Sequence, residues 1–400
     1  MTILVVGASV AGVATVRALR RLGCDGEIIL VEAESRMPYD KPPVSKQMLT
    51  DALAGAEIPL LTTDDIAELR IDLRLATRAV ALDPDRRFIT TDTAEKIKFD
   101  QLVIATGARA RTHPSQCSLN GIHTLRSAED AAAVRVGLTR ADHVVAVGGG
   151  FIGLELASIA QTFGCHVTVV EMQTKILGQL LGPYVADRIE DLHRQHGVEL
   201  LTGTSVASFE GDDRLRSVVL SDGRRVPSDL AVVGIGAVPA ADWLMDAGHA
   251  GPDGVDCDAG LRVLDTENCW AVGDVARWPH PYFEDRVRIE HWTSANETAE
   301  IAAASIMGTP PPKGQPPYVW SDQYGRKLQL VGRPAVSRRC LVRPTDDQNY
   351  AAAYLDDEGK VVGGFVIDDP RLLLRLRRAV GARAAAETLA ELGLVEPVTW

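Results

Sequence analysis

The chain of 400 residues lacks any apolar run approaching the roughly eighteen residues that a membrane-spanning helix needs, so no membrane association is expected. It lacks a Cys-x-x-Cys pair. Its six cysteines (24, 117, 165, 257, 269 and 340) are scattered without metal-ligand spacing, which predicts reduced core residues and no metal site. It lacks an excess of positive charge: a net charge of −12 argues against nucleic acid as a partner. The N-terminus has no basic region and no signal-peptide core and opens directly on a strand, which predicts a cytoplasmic protein. There is no low-complexity segment. The acidity is uneven, because residues 320–400 hold 12 basic and 11 acidic residues while the remainder holds 30 and 43. The length suggests two or three domains with ample core.

What is present begins at once. Ile3 to Val6 is an apolar run, followed by Gly7-Ala8-Ser9-Val10-Ala11-Gly12, an amphipathic stretch from Val13 to Leu22, and a second apolar run from Ile28 to Val31 that ends at Glu32. This order predicts the strand, glycine turn, helix, strand and acid of a βαβ dinucleotide-binding unit. Gly7 permits the tight turn and Gly12 lets the helix approach the strand. The helix N-terminus offers free N–H groups and a positive dipole end to a pyrophosphate. Glu32, twenty residues after Gly12, is placed to accept from a ribose. Ser9 stands where the pattern usually has its middle glycine.

The unit recurs. His143 to Val147 is a strand, Gly148-Gly149-Gly150-Phe151-Ile152-Gly153 a turn, Leu154 to Phe163 a helix, and Val167 to Val170 the next strand, with Glu171 eighteen residues after Gly153. Two such turns imply two dinucleotides, since each needs its own phosphate cradle. An acid at Glu171 accepts from a 2′-hydroxyl and repels a 2′-phosphate, so the second site should prefer NADH to NADPH. The bland alternative is a structural acid at a strand end. Glu155 either favours the helix dipole or faces a reacting ring.

Between and after these units, Met37 to Lys46 carries three prolines that delay any regular element until Ser45, a candidate cap for a helix starting near Lys46. Lys46 is either part of a plain loop or a cation presented to a cofactor. Residues 71–100 alternate like strands. Gln101 to Ile104 is a buried strand that ends at Ala105-Thr106-Gly107. A second buried strand closes in the turn containing Gly236. At Trp270-Ala271-Val272-Gly273-Asp274 the carboxylate suits a ribose or ribityl hydroxyl, or the N-cap of a helix. His291 and Trp292 open a helical run to Met307 with Gly308 as its C-cap, and each has a structural reading beside a functional one. Residues 309–317 form a Pro-rich linker. The last segment combines strands near 328–331, 350–355 and 361–367 with a helix from Arg371 to about Val380. Arg371, Arg375, Arg377 and Arg378 make that helix a solvated basic face or a docking patch for an acidic partner. The fold class expected is α/β, with two Rossmann-like domains plus an α+β C-terminal domain. Its boundaries are 1–110 and 239–317 for the first nucleotide domain, 111–238 for the second, and 318–400 for the last.

Seven motifs together resemble the FAD- and NADH-dependent ferredoxin reductases of the glutathione-reductase-like fold, of the putidaredoxin reductase and aromatic-dioxygenase reductase type. They are Gly7–Gly12, K-P-P-V-S-K at 41–46, A-T-G at 105–107, G-G-G-F-I-G-L-E at 148–155, A-V-G-D at 271–274, E-H-W-T-S-A at 290–295 and Y-V-W-S-D-Q-Y-G at 318–325. The resemblance covers essentially the whole chain. It implies FAD over Gly7–Gly12, with Glu32 and its neighbour Ala33 at the adenosine ribose, the main chain of Ala79 near the adenine, and Lys46 near the flavin N5. Arg126 and Asp274 would hold the phosphate and ribityl portions. Trp292 and Trp320 would border the isoalloxazine, with Ala105, Thr106, Gly107, Gly236, Gly273, Glu290, His291 and Ala295 in the same surroundings. Gly148, Gly150, Phe151, Ile152, Gly153, Glu155 and Glu171 would line the NADH site. Lys46, Glu155, Trp292 and Trp320 are the candidate catalytic residues. At position 79 the family often has valine, and Glu297 stands where relatives often carry glutamine.

Disulfide reductases of this fold pass electrons through a cysteine pair beside the flavin. This chain has K-P-P-V-S-K there. The resemblance therefore implies direct electron transfer to a [2Fe–2S] ferredoxin that supplies a cytochrome P450 or a Rieske oxygenase. Rubredoxin reductase, a monodehydroascorbate-type reductase, an NADH oxidase and a non-enzymatic flavin-bound NADH sensor are the alternatives.

Overall fold

A computed structural model describes the chain except residues 51, 52, 54, 55, 116–118, 284, 344–349, 395 and 400, and of 396–399 it describes the backbone. Cys117 lies outside the described residues; the other five cysteines are free and buried. The chain divides into two compact units. The first takes Met1–Lys41, Glu57–Arg109 and Ala237–Pro317. The second takes Pro42–Ala56, Ala110–Gly236 and Tyr318–Trp400.

The first unit is built on a five-stranded parallel sheet in the order Cys269–Ala271, Gln101–Ile104, Thr2–Val6, Glu27–Val31, Ile71–Arg74. Its central strands are continuous apolar runs because helices cover a parallel sheet on both faces; Ile3, Leu4, Val5, Ile28 and Leu30 are fully buried. The helix Val10–Arg21 packs on the helix Trp292–Met307. Arg17 and Arg21 face solvent as the amphipathic pattern implies, but Arg20 does not lie idle. Its guanidinium donates to the carbonyls of Cys24, Gly26, Leu69 and Arg70, clamping the chain that follows the helix. Residues 79–98 form a three-stranded antiparallel sheet.

The second unit repeats the parallel design in the order Glu199–Thr202, His166–Glu171, His143–Val147, Leu230–Val233, Ile122–Thr124. The helix Phe151–Thr162 starts three residues earlier than expected, since Gly153 closes on the turn from within the helix. The C-terminal segment is a six-stranded antiparallel sheet, Tyr318–Gln323, Arg326–Gly332, Val361–Ile367, Ala351–Leu355, Arg339–Val342, Glu396–Thr399, with the helix Pro370–Ala382 packed on it. Two Rossmann-like domains and an α+β C-terminal domain are thus present.

Two local expectations are corrected. No helix begins near Lys46, and Ser45 caps nothing. The segment makes two 3₁₀ turns, Pro42–Ser45 and Gln47–Leu49, with Lys46 between them. A proline φ suits that tighter turn, and the Ser45 hydroxyl is drawn to a buried carboxylate instead. Asp274 is not an N-cap either. It sits inside the 3₁₀ turn Gly273–Val275, and the helix that follows begins only at Trp292. Among the described residues no helix is long and apolar enough to cross a membrane.

Candidate functional site

The first glycine turn is closed by sterics. Gly7 has φ +105°, and a Cβ there would stand 2.4 Å from the carbonyl oxygen of Ala105; one on Gly12 would stand 1.9 Å from that of Gly7. The helix begins at Val10 with Ser9 at its N-cap, and the Ser9 side chain caps nothing. First-turn N–H groups are therefore left for a ligand at a positive helix end. Glu32 is fixed by two backbone donors: the Ala8 N–H at 2.7 Å and the Glu34 N–H at 3.0 Å. Ala8, Ser9, Glu32, Arg36 and Lys41 line a recess beside the turn. Ala33, next to Glu32, is exposed.

The second turn reproduces this arrangement atom for atom. Gly148 has φ +108°, and a Cβ there would stand 2.4 Å from the Gly234 carbonyl oxygen, while one on Gly153 would lie 2.1 Å from the Gly148 oxygen. Gly150 is the N-cap and offers no capping side chain; Phe151 and Ile152 follow at the helix start. Glu171 accepts from the Gly149 N–H and the Gln173 N–H, each at 2.7 Å. An acid two residues before its own second donor, gripping the turn of the preceding strand, is common to both halves.

Around the first turn the structure gathers several of the expected residues. A Cβ on Gly273 would touch Ala11 at 2.8 Å and lie 3.8 Å from Ala295. The Gly273 N–H donates to Thr298, and the Thr106 hydroxyl donates to the Ala240 carbonyl. Gly107 also has a positive φ, +66°. His291 is the N-cap of the long helix, yet its Nδ1 is enclosed and has no partner. Burial pushes that imidazole down to about 4, with Asp274 opposing the shift. Trp292 is 40% exposed and its indole donates to Asp40. Arg288 donates to the Asp274 carbonyl and pairs with the exposed Glu290. Ala79 lies at the first position of an antiparallel strand, next to a bulge. A cradle that excludes any Cβ, an enclosed orphan nitrogen and a fixed acid fit a dinucleotide with a polar ring system.

In the second unit, Lys46 and Glu155 meet. Their Nζ and Oε2 are 2.8 Å apart, and their side chains are 12% and 3% exposed. Ser45 also donates to Oε2, at 2.5 Å, and Ser321 donates to Oε1 at 2.6 Å. Glu155 thus serves a buried ion pair rather than the helix dipole. Trp320 stacks near Tyr318, with the Lys327 ammonium 5.9 Å over its ring. The backbone N–H of Arg126 donates to Asp130, which caps the helix Ala128–Leu138. Gly236 adopts φ +99° with open space at its Cβ position.

Sequence reasoning passed over Ser45 and Ser321 as donors and His193 altogether. Ser321 lay inside a recognised motif. His193 carried no local signal, because its partners come from another element. The structure also accounts for Glu297: its Oε1 accepts from the Gln315 N–H at 2.6 Å and its Oε2 lies 3.8 Å from His280, so it ties the long helix to the Pro-rich segment.

The family model described as pyridine nucleotide-disulphide oxidoreductase matches residues 1–299, and that described as reductase C-terminal matches 318–392. The chain is 35% identical over 391 residues to the ferredoxin reductase component of chlorobenzene dioxygenase from Cupriavidus sp. (strain PS12), covering 96% of this chain and 93% of that protein. It is 36% identical over 334 residues to a rubredoxin-NAD(+) reductase of Pseudomonas putida, covering 83% and 86%. The crystal structure of a covalent putidaredoxin reductase–putidaredoxin complex superposes with a TM-score of 0.91 at 31% identity, covering 96% of this chain and 93% of the other. With its two glycine turns and its C-terminal sheet both matched, this chain belongs to the pyridine nucleotide-disulphide oxidoreductase family and carries that family's reductase C-terminal domain.

Proposed function

We propose that the chain is an NADH-dependent ferredoxin reductase, holding FAD at the first glycine turn and NADH at the second. It would deliver electrons to a [2Fe–2S] ferredoxin that serves a Rieske oxygenase or a cytochrome P450. The observation that carries this reading is the duplicated turn with its backbone-gripped acid, in a chain whose described cysteines are all buried and unpaired. The relatives named above are described as reductases of ferredoxin, rubredoxin and putidaredoxin. The chemistry that FAD supplies when bound is acceptance of a hydride equivalent and release of single electrons.

The protein's part is binding, alignment and charge. Each glycine turn presents helix N–H groups to a pyrophosphate. Glu32 and Glu171 keep lone pairs for ribose hydroxyls because backbone donors already fix their orientation. At Glu171 a 2′-phosphate would meet a carboxylate, which selects NADH. Glu155, buried and accepting from Ser45, Lys46 and Ser321, holds the Lys46 ammonium in a low-dielectric place where its charge acts strongly on a neighbouring anion. Ser9 leaves the first turn accessible, since its hydroxyl is not used for capping.

The test is reconstitution. The purified protein should be yellow, bleach with NADH much faster than with NADPH, and reduce cytochrome c only when a ferredoxin is added. The similarity to a rubredoxin reductase makes rubredoxin the second acceptor to try. Direct cytochrome c or oxygen reduction without a carrier would refute the assignment, and negligible turnover with every carrier would favour a flavin-bound NADH sensor. A cytoplasmic location is part of the same proposal.

A further inference from the structure

Glu155 does not end at Lys46. On its other oxygen begins a line of buried side chains that the reaction as described leaves unused. Ser321 donates to Glu155 Oε1 at 2.6 Å, and the Gln323 amide donates to the Ser321 hydroxyl at 3.0 Å. His193 Nε2 stands 2.9 Å from Gln323 Oε1, and the Tyr324 hydroxyl 2.8 Å from His193 Nδ1. Ser321, Gln323 and His193 are at most 1% exposed.

The directions of these bonds are determined by what each group can do. Gln323 gives an N–H to Ser321, which frees the single serine proton for the carboxylate. The same amide then presents its oxygen to His193, so His193 Nε2 must be the protonated nitrogen. Nδ1 is left as an acceptor, and it takes the phenolic hydrogen of Tyr324. Burial pushes His193 down to about 4 and pushes the Tyr324 phenol up, so both are neutral at pH 7 and fit these roles. Four donors point the same way along the line, from Tyr324 towards Glu155. Aligned dipoles of this kind reinforce each other in a dry interior.

The backbone is bent to make it so. Ser321 and Gln323 are two apart on the strand Tyr318–Gln323 and therefore share a face. Tyr324 and Gly325 form the two-residue turn of the hairpin, and Tyr324 has φ +52°. A tyrosine in that region is costly, and glycine or asparagine is the usual occupant. The strain is held by three ties: the Tyr324 N–H donates to Ser158 at 2.6 Å, its hydroxyl meets His193, and its ring stacks on His196 with centroids 3.8 Å apart. Glycine would make the turn at lower cost but would supply none of the phenol's contacts.

We propose that Ser321, Gln323, His193 and Tyr324 are positioning residues that hold the Glu155 carboxylate aimed at Lys46. They would thereby set the field that Lys46 exerts on the bound cofactors. This rests on the reading of Lys46 and Glu155 as the pair beside the reacting rings.

Two measurements test it. Urea unfolding of the cofactor-free protein in a double-mutant cycle of Gln323→Met with Glu155→Gln should be non-additive, although those two side chains meet only through Ser321. Rapid-mixing reduction of the FAD-loaded protein by NADH should be slowed about tenfold in Ser321→Ala, the loss of one hydrogen bond to a charged acceptor, and by less in Gln323→Met, whose amide reaches that acceptor only through Ser321. The NADH concentration for half-maximal rate should stay the same, and Ser321→Thr should recover the rate. Tyr324→Phe, which keeps the stacked ring, should show a smaller loss in the same direction and serves if a core variant fails to fold. Additive unfolding energies would overturn the line of bonds. Non-additivity with a normal reduction rate in Ser321→Ala, while Glu155→Gln is slow, would overturn its role in the reaction. A normal rate in Glu155→Gln as well would place the failure in the reading of the site, and the proposal would fall with it.

Discussion

Lys46→Met is the most informative single change. Methionine matches the lysine stem in length and removes only the ammonium. What remains is a carboxylate with 3% of its side chain exposed and without its counter-ion. Removing one partner of a buried pair typically costs about 3–5 kcal/mol, because the surviving charge stays desolvated. Here Ser45 and Ser321 still donate to the two carboxylate oxygens, so the loss should sit at the low end, about 3 kcal/mol. Urea unfolding of the cofactor-free protein reads this directly as a lower midpoint at unchanged slope. Adding Glu155→Gln should recover part of the loss, since the amide needs no counter-charge. The same variant should bleach more slowly with NADH in rapid mixing, by one to two orders of magnitude if the ammonium stabilises developing negative charge. A midpoint within error of the parent, with an unchanged bleaching rate, would show that the pair is a surface-like contact and would refute both arguments.

Other outcomes follow from the same geometry. Glu171→Ala should cost NADH about 2 kcal/mol of binding, the loss of a hydrogen bond to a charged acceptor, and should narrow the preference over NADPH in steady-state kinetics. His193 is held near 4 against an ordinary value of 6.5 by burial; the unfolded chain therefore binds the proton more tightly. Stability is fully present above about pH 6.5 and falls as the pH drops towards 4, by about 3 kcal/mol from this residue, a loss that His193→Phe should remove from the unfolding profile. Arg371→Glu with Arg375→Glu, both on the exposed side of the helix Pro370–Ala382, should raise the KM for an acidic ferredoxin about fivefold at low salt and leave NADH oxidation by small acceptors alone. An unchanged KM would place docking elsewhere.

The two glycine turns were legible because their requirements are local. A backbone that must pass within about 2.4 Å of where a Cβ would sit admits only glycine, and the acid that grips the turn stands a set distance along the next strand. Runs such as Ile28–Val31 and Val144–Val147 are read as parallel strands for a similar reason: both faces are covered, so no polar residue breaks them. Ser45 was misread because a serine after prolines, before a possible helix, is a good cap in isolation. Only the arrival of Glu155, 110 residues later, gives its hydroxyl a better use.

Composition, the period of the apolar residues and the spacing of glycines and acids were sufficient to specify two nucleotide folds and the C-terminal sheet domain. They could not show that Lys46, Glu155, Ser321, Gln323 and His193 form one line. Those side chains come from a turn, two helices and a hairpin, and no local rule relates them. A buried carboxylate must be satisfied by whatever donors the packing delivers, and which donors those are is settled where the elements meet.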